Sequence, residues 1–189
     1  SDWSSDVCSS DLIYTIAVLC LILTVALCEG LGGAFGEYIK WRSYEDGMKE
    51  IKEKKRPGML LIHRDWCQTC QNLGRMCRDN IPLIRLSKKF VMISAPNGEE
   101  PQDDTFKIDG SYFPRIYFIN PDGSVNYDII SDPNADKYQF FYPDDQRIID
   151  SMKQMIKEVK AKRQRKKAKK EKEEELKDVN ESVYQEEDL

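Results

Sequence analysis

The chain has a single histidine, His63, and no basic residue before Lys40. One imidazole leaves His63 as the only histidine that could serve as a general base or metal ligand. The net charge of −4 gives no grounds for nucleic-acid binding. Six cysteines in 189 residues are too few for the disulfide-dense scaffold of a small secreted domain. After Pro143 there is no further glycine or proline, so nothing in the last part of the chain breaks a helix. The flank Ser1–Asp11 carries Asp2, Asp6 and Asp11 and no base, the wrong sign for the start of a secretory leader.

The apolar run that follows, LIYTIAVLCLILTVALC at Leu12–Cys28, is uncharged. It is short for a membrane span and slightly long for the core of a signal peptide. We expect residues 1–28 to be a cleaved signal, with Ala26 third from a cut after Cys28. An uncleaved anchor, and so a membrane-tethered protein, is the alternative. The repetitive SDWSSDVCSSD is set aside as a foreign start. Without residues 1–28 the chain holds 29 bases and 30 acids and is nearly neutral.

Residues 29–40 are Gly-rich and predict a flexible linker. Residues 41–160 carry the periodic patterns of one folded domain, and 161–189 form a charged tail. Ser43 with Asp46 predicts a capped helix to about Lys55, ended by Pro57-Gly58. Met59–Ile62 is a continuous apolar run, the pattern of a strand covered on both faces. A helix is expected from the Cys67 region to about Asn80, with Pro82 as a bend or restart. Phe90–Ser94 and Ile116–Ile119 predict strands on either side of a long acidic loop, Ala95–Tyr112. Asn120–Gly123 predicts a turn, and Val125–Ile130 a returning strand. Ile148, Ile149, Met152, Met155, Ile156 and Val159 mark an amphipathic helix. Strand–helix–strand units followed by a hairpin predict an α/β domain: a mixed central sheet with helices on both faces.

The strongest chemical signal is Cys67-Gln68-Thr69-Cys70, placed where a buried strand gives way to a helix. Cys67 then stands at the helix N-terminus, where free N–H groups and the dipole favour a thiolate, the species that attacks disulfides. Cys70, one turn on, is expected to be the more buried, resolving thiol. Trp66 shields one side of the pair. Phe113-Pro114 opens the Ile116–Ile119 strand; a cis bond there would bring backbone beside the cysteines to meet an extended substrate. Phe113, Pro114 and Trp66 are therefore the expected substrate-binding residues. Cys77 lies roughly 10 Å of helical rise beyond Cys70, too far for a disulfide, and reads as a core thiol. That spacing also argues against a zinc site built from His63, Cys67, Cys70 and Cys77. His63, inside a strand pattern, reads as structural. The basic run Lys157–Lys172 reads as a solvated extension of the last helix, balanced by Glu171–Glu175.

These segments, LLIHRDWCQTC at Leu60–Cys70, KKFVMIS at Lys88–Ser94, SYFPRIYFINPDGSV at Ser111–Val125 and YQFFYPDDQ at Tyr138–Gln146, resemble the thioredoxin superfamily, and within it the anterior-gradient proteins of the endoplasmic reticulum. The resemblance covers about Trp41–Val159. It implies a thioredoxin fold, a redox disulfide between Cys67 and Cys70, and a cis Pro114. Close members often have Gly-Ala between the cysteines, where this chain has Gln68-Thr69. Anterior-gradient members replace the second cysteine by serine, whereas Cys70 is present here. Thioredoxins also carry a buried acid six residues before the first cysteine; Leu61 occupies that place, and Glu99 or Asp103 are the candidate substitutes.

The expected function is thiol–disulfide exchange on secretory clients through catalytic Cys67 and Cys70. Glutathione or another oxidoreductase would be the electron partner. No cofactor, metal or nucleic acid is expected, and no membrane contact apart from the leader. A non-catalytic, chaperone-like client-binding module is the alternative. Glu186–Leu189 resembles an acidic-Leu retrieval tail with Asp188 in place of Glu, in keeping with residence in the endoplasmic-reticulum lumen.

Overall fold

The computed structural model describes residues 30–186. The readings made on residues 1–29 and 187–189, the leader and most of the retrieval-like end, lie outside the described residues. Among those described, no helix is long and apolar enough to cross a membrane.

The described residues build a five-stranded sheet of β1 (Trp41–Arg42), β2 (Gly58–His63), β3 (Val91–Pro96), β4 (Arg115–Ile119) and β5 (Val125–Asn126). The order is β1-β3-β2-β4-β5. β3 runs parallel to both β1 and β2, and β4 runs antiparallel to β2 and β5. The helices are α1 (Tyr44–Lys54), α2 (Gln68–Cys77), α3 (Ile81–Ser87) and α4 (Asp145–Glu186).

β2 lies at the centre and every one of its residues is buried. Its side chains alternate between two cores. Met59 and Leu61 join Met92, Ile116 and Phe118 beneath α2, α3 and α4. Leu60 and Ile62 join Ile93, Tyr117 and Ile119 against Ile51 of α1. This is why the strand reads as an unbroken apolar run: neither face meets water. Leu61 is fully buried, and removing such a side chain from water is worth about 1.5–3 kcal/mol. An unpaired acid at that position would forfeit this and add a desolvation cost.

The local signals act as expected at most boundaries. Ser43 Oγ accepts from Asp46 N at 3.2 Å to start α1, and Lys55, at φ 51°, turns left-handed to end it. Pro82 restarts a helix rather than bending one. It sits in the first turn of α3, whose cap is Asn80 Oδ1 accepting from Leu83 N at 3.0 Å.

Four expectations need correction. The two-residue edge strand β1 is too short to leave a pattern in the sequence. The Gly-rich segment is no free linker: Gly33–Phe35 forms a 3-10 turn, and Phe35 and Ile39 are buried in the core. The returning strand stops at Asn126 instead of Ile130. There Asn126 Oδ1 accepts from Asp128 N at 3.1 Å, its Nδ2 reaches Glu158 at 3.0 Å, and the local turn drops Ile129 into the core. The acidic loop expected from Ala95 starts only at Asn97, because Ala95 and Pro96 extend β3, and within it Asp104–Phe106 forms a 3-10 turn that anchors Phe106 in the core.

α4 does two things. Its first half buries Ile148, Ile149, Met152, Met155 and Val159. Past Val159 it still touches the domain, where Lys162 reaches Asn120 Oδ1 at 3.4 Å and Arg163 donates to Lys55 O, and from Gln164 to Glu174 it is an exposed charged helix laced by i,i+4 pairs, such as Lys167–Glu171 at 3.6 Å and Lys170–Glu174 at 3.4 Å.

Candidate active site

The loop between β2 and α2 carries the two cysteines. Asn97, at the end of β3, pins it. Asn97 Oδ1 accepts from Asp65 N at 3.1 Å, and its Nδ2 donates to the Asp65 carboxylate. Cys67 N donates to Arg64 O at 3.1 Å, closing a tight turn. The chain then coils at once, and Cys67 is the N-cap of α2 with extended backbone. Its sulfur takes the place an oxygen usually holds in a cap, accepting from Cys70 N at 3.4 Å. No acidic side chain lies in the first turn of α2 to compete for the positive helix end.

The two thiols have different surroundings. Cys67 is partly exposed, while Cys70 is buried and both are free thiols. Burial pushes the Cys70 thiol from its ordinary 9.0 up to about 12, partly opposed by the Arg64 backbone and guanidinium. The pair is thus one accessible thiol with a buried one behind it.

The opposite wall comes from the start of β4. The Phe113–Pro114 bond is cis. The Cys67 thiol faces Phe113 O at 3.8 Å. Trp66 is 74% exposed and meets the edge of Phe113 with ring centroids 6.3 Å apart. Five residues named from the sequence, Trp66, Cys67, Cys70, Phe113 and Pro114, thus converge on one site although 43 positions separate Cys70 from Phe113 in the numbering.

Other candidates are placed elsewhere. Cys77 packs with Leu73 and Leu83 in the core, and burial pushes its thiol up to about 12. His63 is buried, with Nε2 2.9 Å from Ser94 Oγ, and burial depresses its pKa; it is part of the packing. Among the described residues no group of three or more His, Cys, Asp or Glu side chains is arranged to hold a metal ion. The acids suggested as substitutes for the missing one at Leu61 do not reach the site. Glu99 is exposed, and Asp103 caps the exposed 3-10 turn through Thr105 N at 2.8 Å.

The buried acid is instead Glu100, which sequence reasoning missed. It is 6% exposed and grips Arg64 with two hydrogen bonds, Oε2 to Nη1 at 3.0 Å and Oε1 to Nη2 at 2.5 Å. Arg115, 1% exposed, brings its Nη2 to 3.9 Å from the same Glu100 Oε1. The one available signal was Arg115 itself, a charge at the head of an apolar strand, which demands a partner if buried.

A parallel–antiparallel sheet of this order, with a CxxC capping the first helix after the central strand and a cis proline facing it, defines a thioredoxin-fold protein. Residues 40–121 match the family model described as Thioredoxin-like. Anterior gradient protein 3 of Xenopus tropicalis is 30% identical over 130 residues, covering 68% of this chain and 78% of the relative. Anterior gradient protein 2 homolog of Homo sapiens is 28% identical over 136 residues, covering 71% and 77%. A solved thioredoxin from Thermus thermophilus aligns over 65% of this chain and 91% of its own, with 14% identity and a TM-score of 0.46. The chain belongs to the anterior gradient family of thioredoxin-like proteins.

Proposed function

We propose that this chain is a thiol–disulfide oxidoreductase acting on secretory-pathway clients in the endoplasmic-reticulum lumen through Cys67 and Cys70. The observation that carries the reading is the capping geometry: an accessible sulfur held on the Cys70 N–H in the first turn of α2, with a buried second sulfur one turn behind.

In the reducing direction, the Cys67 thiolate attacks one sulfur of a client disulfide. The client S–S bond breaks, its other sulfur leaves as a thiolate and takes a proton, and a mixed disulfide forms. Cys70, deprotonated, then attacks Cys67 Sγ. The Cys67–Cys70 bond forms and the Cys67–client bond breaks. The client sulfur departs and is protonated, so two electrons have passed from the pair to the client. The reverse sequence oxidises a client. Phe113 and Pro114 offer backbone against which an extended client segment lies, and Trp66 gives it an exposed apolar edge. Glutathione or another oxidoreductase resets the pair.

A non-catalytic client-binding module is the second reading. The presence of Cys70 favours catalysis over it, because a one-cysteine site cannot complete resolution. Cys70→Ser decides between them. Incubated with a disulfide-bearing client such as insulin, this variant is expected to accumulate a Cys67-linked mixed disulfide that dithiothreitol releases. Failure to form one, while the wild type also leaves insulin intact, would favour the binding module.

A further inference from the structure

At the end of the sheet away from the cysteines, α4 leaves a cavity open against the strand starts. Ile156, Val159, Lys160 and Arg163 are spaced three and four apart and so lie on one stripe of the helix. Across from them stand Arg56 and Pro57, just ahead of β2, and Lys89, just ahead of β3; together these residues line a cavity of about 310 Å³. Its floor is apolar, since Pro57 and Val159 are buried and Ile156 is half-buried. Its rim is four cations, with no carboxylate among the lining residues. Among the described residues, none of the four makes an ion pair with an acid. The two arginines are held by backbone instead. Arg56 Nη2 donates to Lys88 O and to Phe90 O, the second at 3.1 Å, and Arg163 Nη2 donates to Lys55 O. Each uses one nitrogen on carbonyls and keeps its charge and its remaining N–H groups for a further acceptor. Four like charges around one cavity repel each other. Guanidinium groups fixed in this way suit carboxylates.

We propose that this cavity binds an acidic peptide segment of a client or partner protein, with an apolar side chain seated on Pro57, Ile156 and Val159 and its flanking carboxylates on the cationic rim. Charge complementarity selects the acids, and the apolar floor selects the residue between them. The exposure of the rim favours a peptide over a small free anion. Lys89, Lys160 and Arg163 are exposed, so a free anion there stays largely hydrated, whereas a small-molecule site encloses most of its ligand. The acids of α4 itself do not fill the role. Glu171, Glu173 and Glu174 pair with Lys167, Lys169 and Lys170 of the same helix, and they start about 12 Å of rise beyond Arg163. The six residues of β2 separate the cavity from the turn that carries Cys67 by about 20 Å. A segment bound here leaves Cys67 and Trp66 open, so the cavity is a second surface and not part of the thiol site. The proposal does not depend on the oxidoreductase reading.

The test is the fluorescence anisotropy of a fluorescein-labelled Gly-Glu-Glu-Leu-Glu-Glu-Gly peptide titrated with the full-length chain in about 0.1 M salt. Saturable binding is expected. Lys160→Glu, on the rim, is expected to weaken it about tenfold, the scale of losing a close charge pair at an interface. Lys172→Glu makes the same charge change about 13 Å of rise beyond Arg163, further than a Debye length at this salt, and is expected to leave Kd within about twofold. Replacing the peptide's Leu by Ser is expected to weaken binding about fivefold, because the floor loses its apolar partner. Lys160 is exposed, so the thermal melt of Lys160→Glu is expected to match the wild type. Absence of binding, equal losses in Lys160→Glu and Lys172→Glu, or equal affinity for the Leu and Ser peptides would overturn the proposal. Displacement of the peptide by an equal concentration of inorganic phosphate would overturn it in favour of a small-anion site. Capture of phosphatidylserine vesicles by the wild type and not by Lys160→Glu, without peptide binding, would overturn it in favour of a membrane contact. The peptide carries no sulfur, so this result and insulin reduction fail independently of each other.

Discussion

Cys67→Ser is expected to lose insulin reduction by on the order of 10³-fold or more, the scale on which removing a covalent nucleophile acts, while the fold stays intact. The two halves of that expectation have separate causes. Cys67 supplies the only partly exposed thiol among the described residues, and Cys70 and Cys77 are buried with thiols pushed up to about 12. Neither can replace it as the attacking group near neutral pH, because almost none of either is ionised there. Serine, however, is a good N-cap, and its oxygen can accept from Cys70 N as the sulfur does. Thermal unfolding should therefore move by no more than about 1 kcal/mol. A serine variant that reduces insulin at the wild-type rate would remove Cys67 from the mechanism. A variant that unfolds would show that the sulfur is needed for structure.

The reduced protein is also expected to lose stability steeply on the alkaline side. Cys77 is 1% exposed and holds its proton from the ordinary 9.0 up to about 12 in the folded state, through burial and the nearby Asp145 and Asp144. Its folded pKa is raised, so the contribution is fully present below 9 and is lost as pH rises toward 12. In that window the unfolded chain has released the proton and the folded chain has not, so unfolding is favoured by rising pH. Cys77 alone accounts for on the order of 4 kcal/mol across the window. Tyr112, Tyr117 and Tyr142, all raised chiefly by burial, act in the same direction from about 10 upward. Urea unfolding of the reduced chain at intervals from pH 8 to about 11.5 checks this. Cys77→Ala should flatten the slope between 9 and the upper limit, at the expense of a lower stability near neutrality. An unchanged slope would mean that Cys77 is not protected in the native state.

Much of the site was legible because its parts are local. The apolar run Met59–Ile62 marks a strand covered on both faces, and the cysteines follow it directly, so strand, turn and helix start can be read from a dozen consecutive residues. Pro114 could be read for a similar reason: a proline opening an apolar strand needs an explanation wherever it occurs. What could not be read depends on contacts distant in sequence. Glu100 looks like one acid among several in the loop 97–112, and only the fold brings it against Arg64 and Arg115. Phe35 lies in a glycine-rich stretch whose composition suggests flexibility, yet Gly74 lets that stretch approach α2. A Cβ on Gly74 would stand 2.6 Å from Ala34 Cβ and 2.7 Å from its carbonyl carbon. The shortened β5 reflects one side-chain turn at Asn126 that competes with the ladder, and alternation of apolar residues does not register it.

The account depends most on Cys67 and Cys70 behaving as one two-electron couple, and a glutathione-buffered titration of the full chain measures this directly. Samples equilibrated over a range of glutathione ratios are quenched in acid, alkylated and read by mass on the peptide carrying both cysteines. The expected result is a single transition in which the two thiols disappear together into an internal disulfide, with Cys77 remaining free throughout. A peptide that keeps both thiols at every ratio, or that carries glutathione on Cys67 while Cys70 stays reduced, would contradict it.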